Sequence, residues 1–188
     1  ICMSGGEPKW LSLALILEEG LPVAELEQIL SSVAKAAKEA GVCIVTGDTK
    51  VVEKGKGDGI YINTAGIGVL RQPGLSPRAI RPGDRVLVSG TVGDHGAAVM
   101  LARNQNLVQG ELKSDCAPLH RLSAALRQLG SGLRVLRDPT RGGVATTLCE
   151  FVEGTARSIL LEEEAIPVRP AVASACDILG LDPLYCAN

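Results

Sequence analysis

Aromatic side chains are scarce in this chain, at 2% of its 188 residues. So few rings argue against a stacking platform for single-stranded nucleic acid. The formal net charge of −2 includes no basic run that would follow a phosphate backbone. We therefore expect no nucleic-acid partner, and a core built from leucine, isoleucine, valine and alanine.

Membrane and metal signatures are also missing. No apolar run reaches the roughly 18 residues that a transmembrane helix requires. The chain contains six cysteines, none in a C-x-x-C spacing, and two isolated histidines, so we expect neither a zinc site nor a disulfide framework. Unpaired cysteines in an apolar chain are typical of a reducing compartment, and we expect the protein to be cytoplasmic.

One heptapeptide, Asp138 to Val144, has the composition of a phosphate-binding turn, although neither a Walker A motif nor a Gly-x-Gly-x-x-Gly fingerprint is present. An apolar run at 133–136 precedes it, and an apolar, helix-like stretch follows at 144–151. Backbone N–H groups and the positive end of a helix dipole favour an anion at such a helix start. Gly142 and Gly143 leave room for close approach. A tight turn with an ordinary helix cap remains the alternative.

Charged residues occur in this turn and in a second one. Asp138 can hold Mg²⁺, and Arg141 can clamp phosphate oxygens with its planar guanidinium. The stretch Gly47-Asp48-Thr49-Lys50 is predicted to be another acidic–basic turn after a strand at 42–46, although a Gly-Asp turn is often purely structural. Two such turns favour a nucleotide-phosphate site shared between two segments.

Hydrophobic periodicity and breakers predict the order of elements. Helices are expected at 10–19, 22–41, 97–103, 119–129 and 170–179. Strands are expected at 60–70, 84–89, 133–136 and 158–161, and a polar loop at 104–115. Proline and glycine between 71 and 83 mark a boundary, so we expect an N-terminal domain at 1–72, a linker at 73–83 and a C-terminal domain at 84–188. Mixed strands and helices favour two α+β units.

Several stretches, taken together, resemble a known family. On them the chain is similar to the PurM-like ATP-binding superfamily, which includes aminoimidazole ribonucleotide synthase, selenophosphate synthase and thiamine-monophosphate kinase. Within it, the similarity is greatest to the carbamoyl dehydratases of [NiFe]-hydrogenase maturation. The stretches are 3–5, 8–12, 16–22, 44–52, 62–66, 88–91, 93–96, 114–116, 137–138 and 140–144.

The resemblance implies two PurM-like units, both truncated, with an ATP site built between two domains and usually across a homodimer. It implies Asp48 as an acid near Mg²⁺ and Lys50 as a phosphate contact, both catalytic, with Asp138 as a further metal ligand. It implies that Asp94 and His95, which open the first helix of the second domain, contribute to the nucleotide site. A histidine that caps the helix and bonds to the neighbouring acid is the alternative for His95. The second-domain phosphate turn is implied to consist of Thr140, Arg141, Gly142 and Gly143 along with Asp138.

The resemblance also implies a reaction and partners. A tail cysteine would receive a carbamoyl group from HypF, ATP would drive its dehydration to a thiocyanate, and the cyanide would pass to the HypC–HypD complex. A glycine-rich N-terminal segment, a Glu after Asn188 and the tail cysteine itself are expected but absent here. Two alternatives therefore remain: another ATP-dependent enzyme of the superfamily, such as a selenophosphate synthase, and a binding fragment without catalysis.

Overall fold

A computed structural model describes residues 1–103 and 112–188, so the predicted loop at 104–115 lies mostly outside the described residues. The chain divides into two units. The first consists of Ile1–Pro73 and Pro118–Leu133, and the second of Gly74–Ala117 and Arg134–Asn188. The first unit thus includes a segment that follows the predicted linker.

The first unit is built on a three-stranded sheet of order β2-β1-β3. Its strands are β1 (Gly6–Glu18), β2 (Cys43–Val52) and β3 (Ile60–Leu70). The central strand β1 is parallel to β2 and antiparallel to β3. Helix α1 (Val23–Ala40) makes the crossover that a parallel pair requires.

One helix of this unit matches its prediction closely, and a second matches in part. Helix α1 ends where Gly41 adopts φ 67°, and the Gly41 N–H bonds to carbonyls of the last turn, as expected for a glycine at a helix C-terminus. Helix α3 (His120–Leu126) continues into a 3₁₀ segment, Arg127–Gly132, in place of the single helix predicted at 119–129.

The helix predicted over 10–19 is wrong, because these residues form most of β1. Leucine, alanine and isoleucine suit a helix when taken alone. Here every residue from Leu11 to Leu17 is paired on both sides, with β2 and with β3. Hydrogen bonding along both edges of a central strand overrides the local helix preference.

The turn predicted at 47–50 is also wrong, since these residues continue β2. Gly47 serves the sheet and not a turn: a Cβ there would lie 2.6 Å from the carbonyl oxygen of Leu13 on the neighbouring strand. The strand expected at 42–46 is present, but it is not buried, and Val45 is 60% exposed. The strand predicted at 60–70 is confirmed as β3.

A carboxylate near the start of β1 joins this strand to the end of β3. Glu7 accepts hydrogen bonds from Lys9 and from Arg71, which follows β3. These two contacts, first with Lys9 and then with Arg71, lower the pKa of Glu7 to about 2.

The second unit contributes helices α2 (Asp94–Arg103), α4 (Gly143–Val152) and α5 (Pro170–Leu179). Short 3₁₀ turns occur at Pro77–Ala79, Glu163–Ala165 and Pro183–Tyr185. Two apolar clusters form its core: one surrounds Ala97, Val172, Cys176 and Cys186, and the other surrounds Val92, Val144 and Leu148. The prediction of the last helix at 170–179 is confirmed.

The strands predicted at 84–89, 133–136 and 158–161 are not formed in the part of the second unit that the structure describes. A strand requires a paired neighbour. Leu87 and Leu160 instead lie 81% and 92% exposed. Across residues 1–103 and 112–188, no helix is long and apolar enough to cross a membrane.

Candidate functional site

Asp48 and Lys50 lie on one face of the sheet in the first unit. They are two residues apart in β2, so their side chains leave the strand on the same side, roughly 7 Å apart along it. Asp48 is paired with Ala14 of β1 and Lys50 with Ile16. Both side chains are exposed. One oxygen of Asp48 accepts a hydrogen bond from the Thr49 N–H at 2.8 Å.

Strand β3 adds two further polar side chains to the same face. Asn63 is paired with Ala14, and Tyr61 with Ile16. Sequence reasoning assigned neither residue to a site, and only the pairing register would have revealed them. We call this surface the open face; it comprises Trp10, Ser12, Ala14, Ile16, Thr46, Asp48, Lys50, Tyr61, Asn63 and Ala65.

Asp94 opens helix α2 in the second unit and is fully buried. Its carboxylate accepts hydrogen bonds from the Thr91 hydroxyl and from the Arg169 guanidinium. Arg169 lies immediately before α5 and also donates to the Lys113 carbonyl at 3.2 Å. A buried carboxylate needs such a partner, because desolvating an unpaired charge is costly. The structure therefore places Asp94 as an anchor for the start of α2.

Asn188 supplies the cap of this helix from the far end of the sequence. Its side-chain oxygen accepts from the Gly93 and Asp94 N–H groups at 2.6 and 3.1 Å. Its side-chain amide donates to the Thr91 carbonyl at 3.0 Å. Its own N–H donates to the Pro139 carbonyl at 3.0 Å. Asn188 thus joins the turn before α2 to the turn before α4, and no local pattern predicts a cap so distant in sequence.

The Asp138–Gly143 segment forms the predicted tight turn and helix start. The Thr140 N–H bonds to the Asp138 carbonyl at 3.0 Å, and the Gly143 N–H bonds to the Thr140 carbonyl at 3.1 Å. Gly142 and Gly143 adopt φ of 76° and 61°, a region that favours glycine. Helix α4 begins at Gly143 without a side-chain cap. Apart from the Gly143 N–H, which the Thr140 carbonyl accepts, the first N–H groups of the helix have no side-chain cap and can bind an anion.

Close packing beneath the turn explains the second glycine. A Cβ on Gly143 would lie 2.3 Å from the Leu184 carbonyl oxygen and 2.6 Å from that of Cys186. The segment that carries Asn188 therefore runs directly below the start of α4.

Three side chains of the turn point to solvent. Asp138, Thr140 and Arg141 are exposed. Within the described residues, no hydrogen bond or ion pair engages their side-chain atoms. A carboxylate, a hydroxyl and a guanidinium beside an uncapped helix start can bind a phosphate group and its counter-ion.

Preformed metal clusters are not found among residues 1–103 and 112–188, where no group of three or more His, Cys, Asp or Glu side chains converges. Asp48 and Asp138 each present a single exposed carboxylate in their own unit. Mg²⁺ is commonly held by one or two carboxylates together with substrate phosphates. The residues present therefore fit a magnesium ion that arrives with a nucleotide better than one held by the protein alone.

His95 lies inside the first turn of α2 and is not its cap. Its Nδ1 atom lies 2.9 Å from the Ser114 hydroxyl and 3.5 Å from the Cys116 sulfur. The alternative in which His95 bonds to the neighbouring acid is not what the structure shows, since Asp94 bonds to Thr91 and Arg169.

Family comparisons cover nearly the whole chain. The N-terminal domain of AIR synthase related proteins matches residues 1–70, and the C-terminal domain of the same family matches residues 81–188. The chain belongs to the AIR synthase related protein family. The superfamily resemblance is thus confirmed, together with the mixed fold of two AIR synthase-like domains.

Curated proteins similar to this chain include carbamoyl dehydratases named HypE. Carbamoyl dehydratase HypE of Cupriavidus necator is 52% identical over 189 residues, which cover 100% of this chain and 54% of that protein. Carbamoyl dehydratase HypE of Escherichia coli is 47% identical, over 100% of this chain and 56% of that protein. The chain spans about half the length of the curated relatives it matches.

Solved structures agree with these relatives. A crystal structure of a HypE–HypF complex superposes with a TM-score of 0.94 at 52% identity, covering 99% of this chain and 61% of that one. HypE in complex with ATP gives 0.93 at 47% identity, covering 100% and 56%. Thiamine monophosphate kinase of Aquifex aeolicus superposes with a TM-score of 0.67 at 22% identity, covering 98% of this chain and 63% of that one. At this identity the likeness shows a shared fold alone.

Proposed function

We propose that this chain is part of an ATP-dependent carbamoyl dehydratase that supplies the cyanide ligand of [NiFe]-hydrogenases. The observation that carries the proposal is the match to HypE over the full 188 residues at about half identity, in sequence and in structure. The reaction converts a protein thiocarboxamide and ATP into a thiocyanate, ADP and phosphate. Phosphorylation turns the amide oxygen, a poor leaving group, into a good one.

Lys50 and Arg141 supply the positive charge that such a phosphoryl transfer needs. Catalysis of this reaction is mostly positioning and charge stabilisation around the γ-phosphate. Lys50 stands exposed on the open face, and Arg141 stands exposed beside the start of α4. Thr140, Gly142 and Gly143 complete the phosphate turn.

Asp48 and Asp138 would hold Mg²⁺, which in such reactions neutralises charge on the nucleotide phosphates. Both carboxylates are exposed and available. In this proposal Asp94 supports the nucleotide site by fixing the start of α2, and His95 is a further nucleotide contact at the same helix start.

We further propose a homodimer that pairs through the open face. Four large apolar side chains lie exposed there or beside it: Trp10 (47%), Ile16 (43%), Tyr61 (52%) and Ile67 (66%). A patch of this kind marks an interaction surface. HypF as a partner is supported by the HypE–HypF crystal structure, and we propose that it is the carbamoyl donor. The HypC–HypD complex as cyanide acceptor and a cytoplasmic location complete the proposal; the unpaired cysteines are in keeping with a reducing compartment.

Titration calorimetry with Mg·ATP tests the nucleotide site. The chain and the complete Cupriavidus necator relative are measured side by side, so that a failure of the assay is separated from a failure of the site. Saturable binding to this chain supports the proposal. Binding to the relative alone would show that the described residues do not make a sufficient site.

Matched substitutions then test the two cations. Lys50→Ala and Arg141→Ala should each weaken nucleotide binding or turnover by about 2 kcal/mol, the range for a hydrogen bond to a charged group. Lys56→Ala and Arg157→Ala are the controls: each removes an exposed cation of the same type from the same unit as its test residue. They should change neither nucleotide binding nor turnover. Equal effects of test and control variants would remove the cation from the proposed site.

A further inference from the structure

A cysteine and a histidine meet on the surface of the second unit. The Cys116 sulfur lies 3.5 Å from Nδ1 of His95. Ser114 links the two residues: its hydroxyl lies 2.9 Å from the same nitrogen and accepts the Cys116 N–H at 3.1 Å. The Cys116 side chain is exposed to solvent.

This arrangement contains the parts of an activated thiol. An imidazole within hydrogen-bond reach can take the thiol proton. The Ser114 hydroxyl contacts the same Nδ1 atom, so it competes with the Cys116 sulfur for that nitrogen and must turn away before the proton is transferred. The carboxylate of Asp94, the residue before His95, does not compete for the imidazole, because Arg169 and Thr91 occupy it.

The remaining cysteines lack this environment. Cys43 and Cys149 are exposed. Of the exposed cysteines in the described residues, Cys116 is the one with a histidine nitrogen in contact. The second histidine, His120, belongs to the first unit.

We propose that Cys116 and His95 form a nucleophilic thiol site that accepts small acyl-type electrophiles such as a carbamoyl group. The site rests on the geometry of the second unit, shares His95 with the proposed nucleotide site, and is tested without ATP. It is a place where this protein can carry a carbamoyl group apart from any tail cysteine.

The chemical step transfers a carbamoyl group from the sulfur of a donor to the sulfur of Cys116. The Cys116 proton moves to His95, and the sulfur attacks the carbonyl carbon of a thiocarbamate donor. A new S–C bond forms while the donor's S–C bond breaks. The departing thiolate takes the proton from the imidazole, so no oxidant, reductant or other reactant is consumed.

Two probes test the site. The first is iodoacetamide at pH 7, with the alkylation rate of each cysteine followed by peptide mass spectrometry on the folded chain. The second is potassium cyanate, which adds a carbamoyl group to a thiolate. Because the His95 nitrogen can take the thiol proton as the sulfur attacks, we expect Cys116 to react about tenfold faster than Cys43 with either probe.

Three variants test which side chain causes the faster reaction of Cys116. His95→Gln keeps a hydrogen-bonding side chain beside Ser114 but cannot take the proton, and it should bring Cys116 down to the rate of Cys43. Ser114→Ala removes the hydroxyl that competes for Nδ1 and should raise the Cys116 rate. His120→Gln removes the other imidazole and should leave Cys116 unchanged. Circular dichroism confirms that each variant is folded.

Two results would overturn the proposal. One is a Cys116 rate equal to that of Cys43 in the unsubstituted chain. The other is an unchanged Cys116 rate in folded His95→Gln, which would mean that exposure alone accounts for its reactivity.

Discussion

Replacing Asn188 with alanine should destabilise the second unit by about 2–3 kcal/mol. The substitution removes the acceptor of the Gly93 and Asp94 N–H groups and the donor to the Thr91 carbonyl. Loss of a helix cap costs about 0.5–2 kcal/mol. Gly93 and Asp94 are buried, so water cannot replace the lost acceptor, and a buried unsatisfied donor adds about 1–3 kcal/mol.

Urea unfolding followed by far-ultraviolet circular dichroism measures the change, and hydrogen exchange over residues 91–97 locates it. Asn188→Asp is the matched control. It keeps the acceptor at the helix start, where a negative charge is favourable, but it loses the donor to the Thr91 carbonyl. It should therefore cost less than alanine but more than zero. An alanine effect below about 0.5 kcal/mol would refute the assignment of Asn188 as the cap.

Three further predictions concern other parts of the fold. Gly143→Ala should cost more than about 2 kcal/mol in urea unfolding, because the positive φ is compounded by a carbonyl oxygen 2.3 Å from the new Cβ; Gly154→Ala, with φ 67° and nothing within 4 Å, should cost only about 1 kcal/mol. Burial, with a smaller effect of neighbouring Cys186, raises the pKa of Cys176 from 9.0 to about 12, so the free energy of unfolding should fall as pH rises through this window. Cys176→Ala should flatten that fall, and an identical pH profile in the variant would contradict the assignment. Carbon-detected NMR titration should find the Glu7 carboxyl ionised down to a pH of about 2, because a hydrogen-bonded lysine and then an arginine hold its pKa below 4.5; its stabilising contribution is therefore present above pH 4.5 and lost as pH falls towards 2.

Local signals in the sequence located some elements well. Gly41 ended α1, Pro170 began α5, and the Gly-Gly pair opened α4. Each of these depends on residues a few positions apart, so the physical cause is local in sequence.

Non-local pairing explains the errors. The leucine-rich stretch of β1 suits a helix until it is flanked by two strands, and Gly47 resembles a turn glycine until Leu13 lies against it. The hydrophobic run at 84–89 suits a strand, but a strand needs a partner that the described residues of its unit do not provide.

The candidate site likewise combines features that are local in sequence with features that depend on distant residues. The exposed Asp138–Gly143 turn and its helix start were predicted from composition. The placement of Asn63 beside the Asp48 row, and the cap from Asn188, depend on register and on a contact across 94 residues. No window of sequence contains either of them.

Trp10 gives the open face a spectroscopic signal of its own. It is the one tryptophan in the chain, it shares its side of β1 with the residues that flank Asp48 and Lys50, and it is 47% exposed. Indole emission moves to shorter wavelength when water is removed from the ring. A second copy or another protein that covers this face will therefore shift the emission maximum of Trp10 to shorter wavelength. No added label is needed to detect this shift.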